Sequence, residues 1–510
     1  MKSKTLRLIL GDQLNIQHQW FTQCSSEITY VLMEVKSESL YVTHHIQKIL
    51  GFFAAMRAFA QQLEQQGHRV IYLKMNDPHN QQSIEKNVIT LVAEHSFQLF
   101  EYQQPDEYRL DQVLEQLSLS IPKTKFDTDH FYTTRDELAT FFRGKKQLLM
   151  ESFYRYMRKK HHVLMDGNDP LHGQWNFDHS NRNKMPIQHH PPAPLLMDHD
   201  LGELLNEIEQ AHLPYIGKVD AQHFSWPITR SEALQHLEYF AKELLVHFGT
   251  FQDAMTPHFW SLYHSRLSFA MNVKLISPHE IIHRVVLEYN QRKEEIEYAQ
   301  LEGFVRQIIG WREYMRGIYW MHMPSFGEMN FFDHQNPLPE WYWTGQTKMH
   351  CLQHTIQQSL HYAYAHHIQR LMVTGNFALL AGIHPNDVDR WYLGIYIDAI
   401  EWVEITNTRG MSQFADGGIV ATKPYISSAS YIDKMSHYCV NCYYKKSEKI
   451  GEKACPFNSL YWHFLFRHQD KLSKNPRMTM MYAVWNKMNK DQQEQIIQQA
   501  EHYLANLHEL

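Results

Sequence analysis

The hydrophobic pattern changes period along this chain, and that change limits the folds open to it. Residues 5–10 (TLRLIL) read as a buried strand that ends in a turn at Gly11-Asp12, and 28–33 (ITYVLM) and 69–73 (RVIYL) read as two more. Between them, residues 44–66 carry apolar side chains at helical spacing, and Gly67 is placed to close that helix. Residues 81–95 repeat the helical pattern, and 97–101 (FQLFE) return to a strand. This alternation predicts an α/β domain: a parallel sheet with helices on both faces. No G-x-G-x-x-G follows the first strand, so a dinucleotide fingerprint is absent. From about residue 140 to 230 the pattern loosens and His and Pro become dense, as in His189-His190-Pro191-Pro192. Beyond about 231 strand signals nearly vanish, and helical stretches follow one another at 231–248, 278–297, 299–320 and 351–373. A chain of 510 residues is too long for one compact core. The expected division is an α/β domain over 1–135, a linker with short helices over 136–230, and an all-α domain over 231–510.

Charge excludes a globally basic nucleic-acid binder. The net charge is −6 with all 35 His neutral, so any DNA site must be a local basic face. One candidate stretch is Arg143, Lys145, Lys146, Arg155, Arg158, Lys159, Lys160, His161 and His162; an ordinary solvated helix face reads the same way. Aromatic residues make up 13% of the chain, which suits either large cores or surfaces on which rings stack. No stretch approaches the roughly 20 apolar residues of a membrane span, and the apolar run near the start is too short for a signal peptide. The expectation is a soluble, cytoplasmic protein without membrane contact.

Five Cys do not make a disulfide framework, but four of them fall in a suggestive order. Cys351 is followed by Cys439-Val-Asn-Cys442 and then by Cys455-Pro456. Four thiolates suit either zinc or an iron–sulfur cluster, and sequence chemistry alone does not separate the two; four unrelated buried cysteines are the plainer alternative. Lys445, Lys446, Lys449 and Lys453 lie nearby and would offset thiolate charge. Cys24 stands alone and reads as a small core residue.

Three segments of the second half carry a resemblance. His264-Ser265-Arg266-Leu267-Ser268 places hydroxyls and a guanidinium in one short turn, which suits a diphosphate. Residues 304–316 (FVRQIIGWREYMR) join an R-Q pair to W-R-E-Y, and the run 371–418 contains N-F-A-L-L-x-G-x-x-P, W-Y and D-A-x-x-W-V. Together these resemble the flavin-binding half of the photolyase and cryptochrome family, and the resemblance extends over essentially the whole chain. Three further features resemble the family's iron–sulfur bacterial group: the opening L-R-L-I-L-G-D-Q-L-N, the segment Gly173 to Asp178 with Asn181-Arg182, and the four Cys.

The resemblance implies a 4Fe–4S cluster on Cys351, Cys439, Cys442 and Cys455, FAD in the helical domain, and a 6,7-dimethyl-8-ribityllumazine antenna in the first domain. It implies light-driven repair of the pyrimidine–pyrimidone (6-4) photoproduct in DNA by a monomer that receives the lesion flipped out of the duplex. A blue-light receptor without repair and a cyclobutane-dimer photolyase remain the alternatives. A zinc- or cluster-bearing nucleic-acid protein without photochemistry is a more distant one. His366 and His367, read as part of the helix over 351–373, correspond to the position that protonates or hydrogen-bonds the lesion. His264, Ser265, Arg266, Leu267, Ser268, Gln307, Trp311, Arg312, Asp398, Glu404 and Asn407 are carried over as flavin contacts, with Arg312 and Asp398 expected to pair as a salt bridge. The chain departs from the family here, because W-V-E-I-T-N replaces the usual D-x-D-x-A-x-N. No Trp lies between Met411 and Gly418, so Trp343, Trp391 and Tyr392 are the expected electron-transfer residues. Trp175 to Arg182 are expected beside the substrate, and Gly11, Asp12, Gln13 and Glu34 beside the antenna, at the C-terminal ends of the strands.

Overall fold

The computed structural model describes residues 4–510. Five short strands form one parallel sheet: β1 (Thr5–Leu8), β2 (Ile28–Met33), β3 (Arg69–Leu73), β4 (Leu99–Gln103) and β5 (Lys123–Phe126). Their order across the sheet is β3-β2-β1-β4-β5. Alternation along β2 sends Tyr30 and Leu32 into the core shared with α1 (Ile46–Gln65), and Val31 and Met33 into the core shared with α2 (Ile84–Glu94) and α3 (Tyr108–Gln116). Helices therefore cover both faces, as the pattern predicts. Gly67 closes the turn after α1 with a φ of +89°, which only glycine adopts without strain. The fifth strand is the one the sequence hides: Lys123 to Phe126 (KTKF) is a short edge strand without an apolar face.

The chain reverses its direction of growth across the sheet between β1 and β4. Ligands in open α/β sheets bind at such a switch, beyond the carboxyl ends of the strands. Here those ends carry Gly11-Asp12 and Pro105-Asp106, which face the helical half.

Helix α1 joins the two halves. It is buried nearly all round, which marks a helix packed on more than one side. At Gly51 a β-carbon would stand 3.1 Å from the Phe269 ring and 3.2 Å from Ile397. Lys48 Nζ donates to the Leu393 carbonyl at 2.7 Å, and Gln47 Nε2 donates to the Lys218 and His361 carbonyls. Residues 136–230, expected as a linker with short helices, pack against the helical half. Helix Met150–His161 lies against the helical half, with the Tyr154 hydroxyl donating to Glu302 at 3.0 Å, and Asn181 is fully buried with its amide on the Ala299 carbonyl at 3.0 Å. Arg158, assigned above to an exposed basic face, is buried too: its guanidinium donates to the Val163, Leu164 and Trp175 carbonyls. No helix among the described residues is long and apolar enough to cross a membrane.

The halves pack tightly at Gly394, where a β-carbon would meet the Thr43 carbonyl oxygen at 2.2 Å. Gly394→Ala is therefore expected to lower stability by about 1–3 kcal/mol, as overpacking does. A thermal unfolding midpoint equal to that of the unaltered protein would show that this contact yields freely.

Candidate functional site

The helical half encloses a cavity of about 310 Å³. Its walls come from three helices that each widen into a π turn where they face it: Arg306–Arg312, Arg370–Gly375 and Thr406–Ser412. A π turn inserts one residue, pushes side chains outward and leaves carbonyls for other donors, and such turns gather at functional sites. The freed carbonyls are served by cavity side chains. Gln307 Nε2 donates to the Gly303 carbonyl at 3.1 Å, Tyr392 OH to the Arg370 carbonyl at 2.6 Å, and Asn407 Nδ2 to the Val403 carbonyl at 2.7 Å.

All eleven residues expected as flavin contacts line this one cavity: His264 to Ser268, Gln307, Trp311, Arg312, Asp398, Glu404 and Asn407. His366 and His367 line it as well, together with Asn272, Tyr364, Arg370, Tyr392, Tyr396, Thr408 and Ser412. The 264–268 turn bends through a positive φ of +53° at Arg266. Arg266 Nη1, Arg312 Nε and His264 Nε2 are buried without a partner in the protein. Buried donors are rarely left unserved, so this wall is built to receive acceptor atoms. Burial lowers both guanidinium groups to about 10, still cationic at neutral pH. The donor set thus fits an anionic, ring-bearing cofactor such as a dinucleotide.

The expected Arg312–Asp398 salt bridge does not form. Asn272 stands between them, taking Arg312 Nη1 on its Oδ1 at 2.8 Å and giving its Nδ2 to the Asp398 carbonyl at 2.6 Å. The cation that pairs with Asp398 is Arg370, at 3.0 Å, with the Ser268 hydroxyl donating to the same carboxylate at 2.6 Å. Arg370 follows the histidine pair in sequence, but only the fold brings it to Asp398.

The histidines are not consecutive residues of one long helix. Helix His350–Tyr362 ends at Ala363, whose φ is +51°, and His366 has extended backbone; a new helix starts at His367. The His366 ring stacks on His264, with centroids 4.4 Å apart and planes 13° from parallel. Burial, reinforced by the neighbouring histidines and Arg370, holds His366 well below the usual imidazole range and lowers His264 to about 3. His367, more open to the cavity, is lowered to about 4 by burial first and by the Arg370 guanidinium second. All three are uncharged at neutral pH. Glu404 is pushed well above the usual carboxylate range by burial and by nearby Asp389, and the Thr408 hydroxyl donates to it.

An aromatic file leaves the cavity. Tyr392 is in the wall, Trp391 lies 5.1 Å from it, Tyr342 lies 5.2 Å from Trp391, and Trp341 stacks on Tyr342 at 4.6 Å. The Trp391 indole donates to the Tyr342 carbonyl at 2.9 Å. Trp343 sits half-buried on the same short helix, Trp341–Thr344, as Tyr342. Sequence reading did not single out Tyr342 and Trp341; their signal is the W-Y-W run itself.

A second cavity, of about 150 Å³, opens at the switch of the sheet. Gly11 and Asp12 line it with Asp106, Lys48, Tyr41 and His44, and Ile400, Glu401 and Trp402 close it from the helical half. The other two expected antenna residues are elsewhere. Gln13 is buried between strand ends, accepting from Leu10 N at 3.1 Å and donating to the Gln103 carbonyl at 3.2 Å. Glu34 is occupied by Arg57 at 2.7 and 3.0 Å, Tyr72 OH at 2.7 Å and Met75 N at 2.9 Å. Both spend their polar atoms on the scaffold.

The four cysteines Cys351, Cys439, Cys442 and Cys455 line one small pocket with Tyr438, Tyr444 and Lys446, although up to 104 residues separate them in sequence. All are thiols without disulfide partners. Cys24 is exposed, not a core residue.

Residues 7–224 match the deoxyribodipyrimidine photo-lyase-related protein family. Over 507 residues the chain is 41% identical to the (6-4) photolyase of Agrobacterium fabrum (strain C58 / ATCC 33970), covering 98% of this chain and 99% of that one. The chain belongs to the photolyase family. A shorter relative of this photolyase-family protein, the uncharacterized protein R855 of Acanthamoeba polyphaga mimivirus, is 33% identical over 122 residues, 24% of this chain and 90% of that one. The fold agrees with two solved structures. A bacterial class III photolyase from Agrobacterium tumefaciens superposes with a TM-score of 0.53 at 15% identity, over 83% of this chain and 82% of that one. The Synechocystis sp. PCC6803 cryptochrome superposes with a TM-score of 0.54 at 13% identity, over 80% and 82%. The photolyase fold, an α/β domain followed by a helical domain, is thus the architecture of this chain.

The stacked histidines set an acid limit on this photolyase. The unfolded chain binds protons at His264 and His366 below their ordinary value of 6.5, whereas the folded chain does not until much lower pH. Stability from the pair is whole above about pH 6.5 and falls as the pH drops toward 3. Urea midpoints of His264→Gln should therefore fall less steeply between pH 6.5 and 4 than those of the unaltered protein; parallel slopes would contradict a buried neutral imidazole.

Proposed function

We propose that this protein repairs the pyrimidine–pyrimidone (6-4) photoproduct of DNA in light. FAD would occupy the helical-half cavity, a 4Fe–4S cluster would sit on Cys351, Cys439, Cys442 and Cys455, and a ribityllumazine antenna would rest against Gly11 and Asp12. The observation that carries this reading is the meeting of His366 and His367 with eleven dinucleotide-suited side chains in a single cavity, in a chain 41% identical to a (6-4) photolyase.

Bound in this cavity, FAD would supply light-driven one-electron chemistry in which the electron lent to the lesion returns to the cofactor once the cross-link has broken. The chain's own residues bind, orient and manage protons. Arg266, with Ser265, would hold the diphosphate, and Asp398, kept in place by Arg370 and the Ser268 hydroxyl, would address a ring edge. Uncharged at rest, His366 and His367 offer an N–H to the lesion and keep a ring nitrogen free to accept. A lesion bearing negative charge would strengthen the hydrogen bond from the imidazole N–H and favour a shift of that proton toward the lesion, the imidazole recovering it when the charge leaves. Glu404, buried in the same lining, would face the cofactor as well. Tyr392, Trp391 and Trp343 would refill the cofactor with electrons, Tyr342 and Trp341 adding stacked rings beside them.

The lesion must leave the duplex to enter the cavity, at a cost lowered by its poor pairing. Exposed Arg155 and Lys159, each about 5.5 Å from the Trp175 ring, belong to a basic face suited to the phosphate backbone, so binding should weaken with salt. The four thiols share one pocket and would suit either zinc or a cluster; the choice of a cluster follows the resemblance to the family's iron–sulfur group.

His367→Ala is expected to keep FAD and to lose repair of a (6-4)-damaged oligonucleotide under blue light; undiminished turnover would remove the histidine from the mechanism. Chemical assay of purified protein is expected to find four iron and four labile sulfide per chain, as a cubane requires. One zinc per chain would overturn the cluster.

A further inference from the structure

The turn that carries two of the four cysteines is tied to the histidine pair by buried hydrogen bonds. Tyr438, fully buried, directly precedes Cys439. Its hydroxyl accepts from Gln369 Nε2 at 3.0 Å. Gln369 Oε1 accepts from the backbone N–H of His366 at 3.1 Å. The two buried amides of Gln358 and Gln369 also bond each other reciprocally, at 3.0 and 3.1 Å, and Gln358 Nε2 reaches the Tyr364 carbonyl at 3.2 Å. Gln358 lies on helix His350–Tyr362, whose second residue is Cys351. From that same helix His350 Nδ1 bonds the Tyr438 carbonyl at 2.8 Å, and the His354 ring lies 5.4 Å from the Tyr438 ring. Two cysteine-bearing segments therefore converge on Gln369.

What they converge on is an irregular piece of backbone in the cavity wall. Ala363 is left-handed and His366 is extended, so no helical ladder fixes the approach to the pair. A buried position that only filled space would be apolar. Here two amides and a phenol are satisfied by one another, an arrangement that is rigid when complete and costly when broken.

We propose that Gln369 is a positioning residue that transmits the placement of the Cys439–Cys442 turn, through Tyr438, to His366 and His367 in the cavity. The inference rests on the functional reading above, in which the histidines meet the lesion and the thiols bind a cluster. It gives that cluster a mechanical task in repair: fixing the turn fixes the histidines.

The test uses flavin- and iron-loaded protein carrying Tyr438→Phe, Gln369→Leu or Gln369→Glu. Tyr438→Phe and Gln369→Leu are expected to keep iron and FAD. Amide hydrogen exchange across residues 363–370 is expected to rise about tenfold without a change in the sheet. The kcat of (6-4) repair in saturating light should fall about tenfold, with KM for damaged duplex within about twofold, because geometry is lost and binding is not. Gln369→Glu should recover the rate, since a carboxylate accepts from the His366 N–H, from Gln358 and from the Tyr438 hydroxyl. Placed on Tyr438→Phe it should recover nothing. Tyr438→Phe preserves packing volume, so it decides the matter even where Gln369→Leu fails to fold. Unchanged exchange at 363–370, or a rate loss that Gln369→Glu fails to restore, would overturn the inference. An active His367→Ala strikes the functional reading; normal Tyr438→Phe and Gln369→Leu beside an inactive His367→Ala strike this inference alone.

Discussion

The cavity exists because three helices widen by one residue where they face it, and the carbonyls this releases are taken by Gln307, Tyr392 and Asn407. Two of the wide turns also cross each other. At Gly375 a β-carbon would stand 2.1 Å from Ser412 Oγ and 2.8 Å from the Arg370 carbonyl, so only glycine lets them approach this far. With the wall fixed in this way, Arg370 reaches Asp398, Ser268 reaches the same carboxylate, and the stacked imidazoles face an open volume. Neutral imidazoles and buried guanidiniums in one cavity form a site whose donors suit an anionic ring system.

The second constraint is α1. It belongs to the sheet domain by sequence but is packed on the helical half through Gly51 and Lys48. That packing sets the cavity at the sheet's switch point against Ile400, Glu401 and Trp402, while Asp398, Glu404 and Asn407 of the same stretch of chain face the larger cavity. One segment of nine residues, Asp398 to Thr406, is the partition between them. Arg312 of the larger cavity lies 4.7 Å over the Trp402 ring, so the partition is one side chain thick at that point. An antenna in the smaller cavity would sit a short way from the cofactor in the larger.

Much of this was legible in the sequence. The change of period located the sheet and the helical half, and the eleven residues expected as flavin contacts line one cavity, although three separate segments carry them. What was hidden has physical causes. Lys123 to Phe126 has no apolar face, so periodicity is silent there. The break at Ala363 rests on a positive φ in a residue that favours helices, and propensity argues against it. The pairing of Arg370 with Asp398, and the interposition of Asn272, depend on three segments meeting in space. Gln13 and Glu34 hold the right position at strand ends but spend their polar atoms on neighbouring strands and on Arg57. Position alone does not tell a ligand contact from a structural one.

The account stands on the helical-half cavity holding a flavin. The most direct measurement is the flavin released by denaturing protein that was purified in darkness, quantified against chain concentration. The account requires one FAD per folded chain. Well-folded protein that releases no flavin, and takes none up when FAD is added, would contradict it.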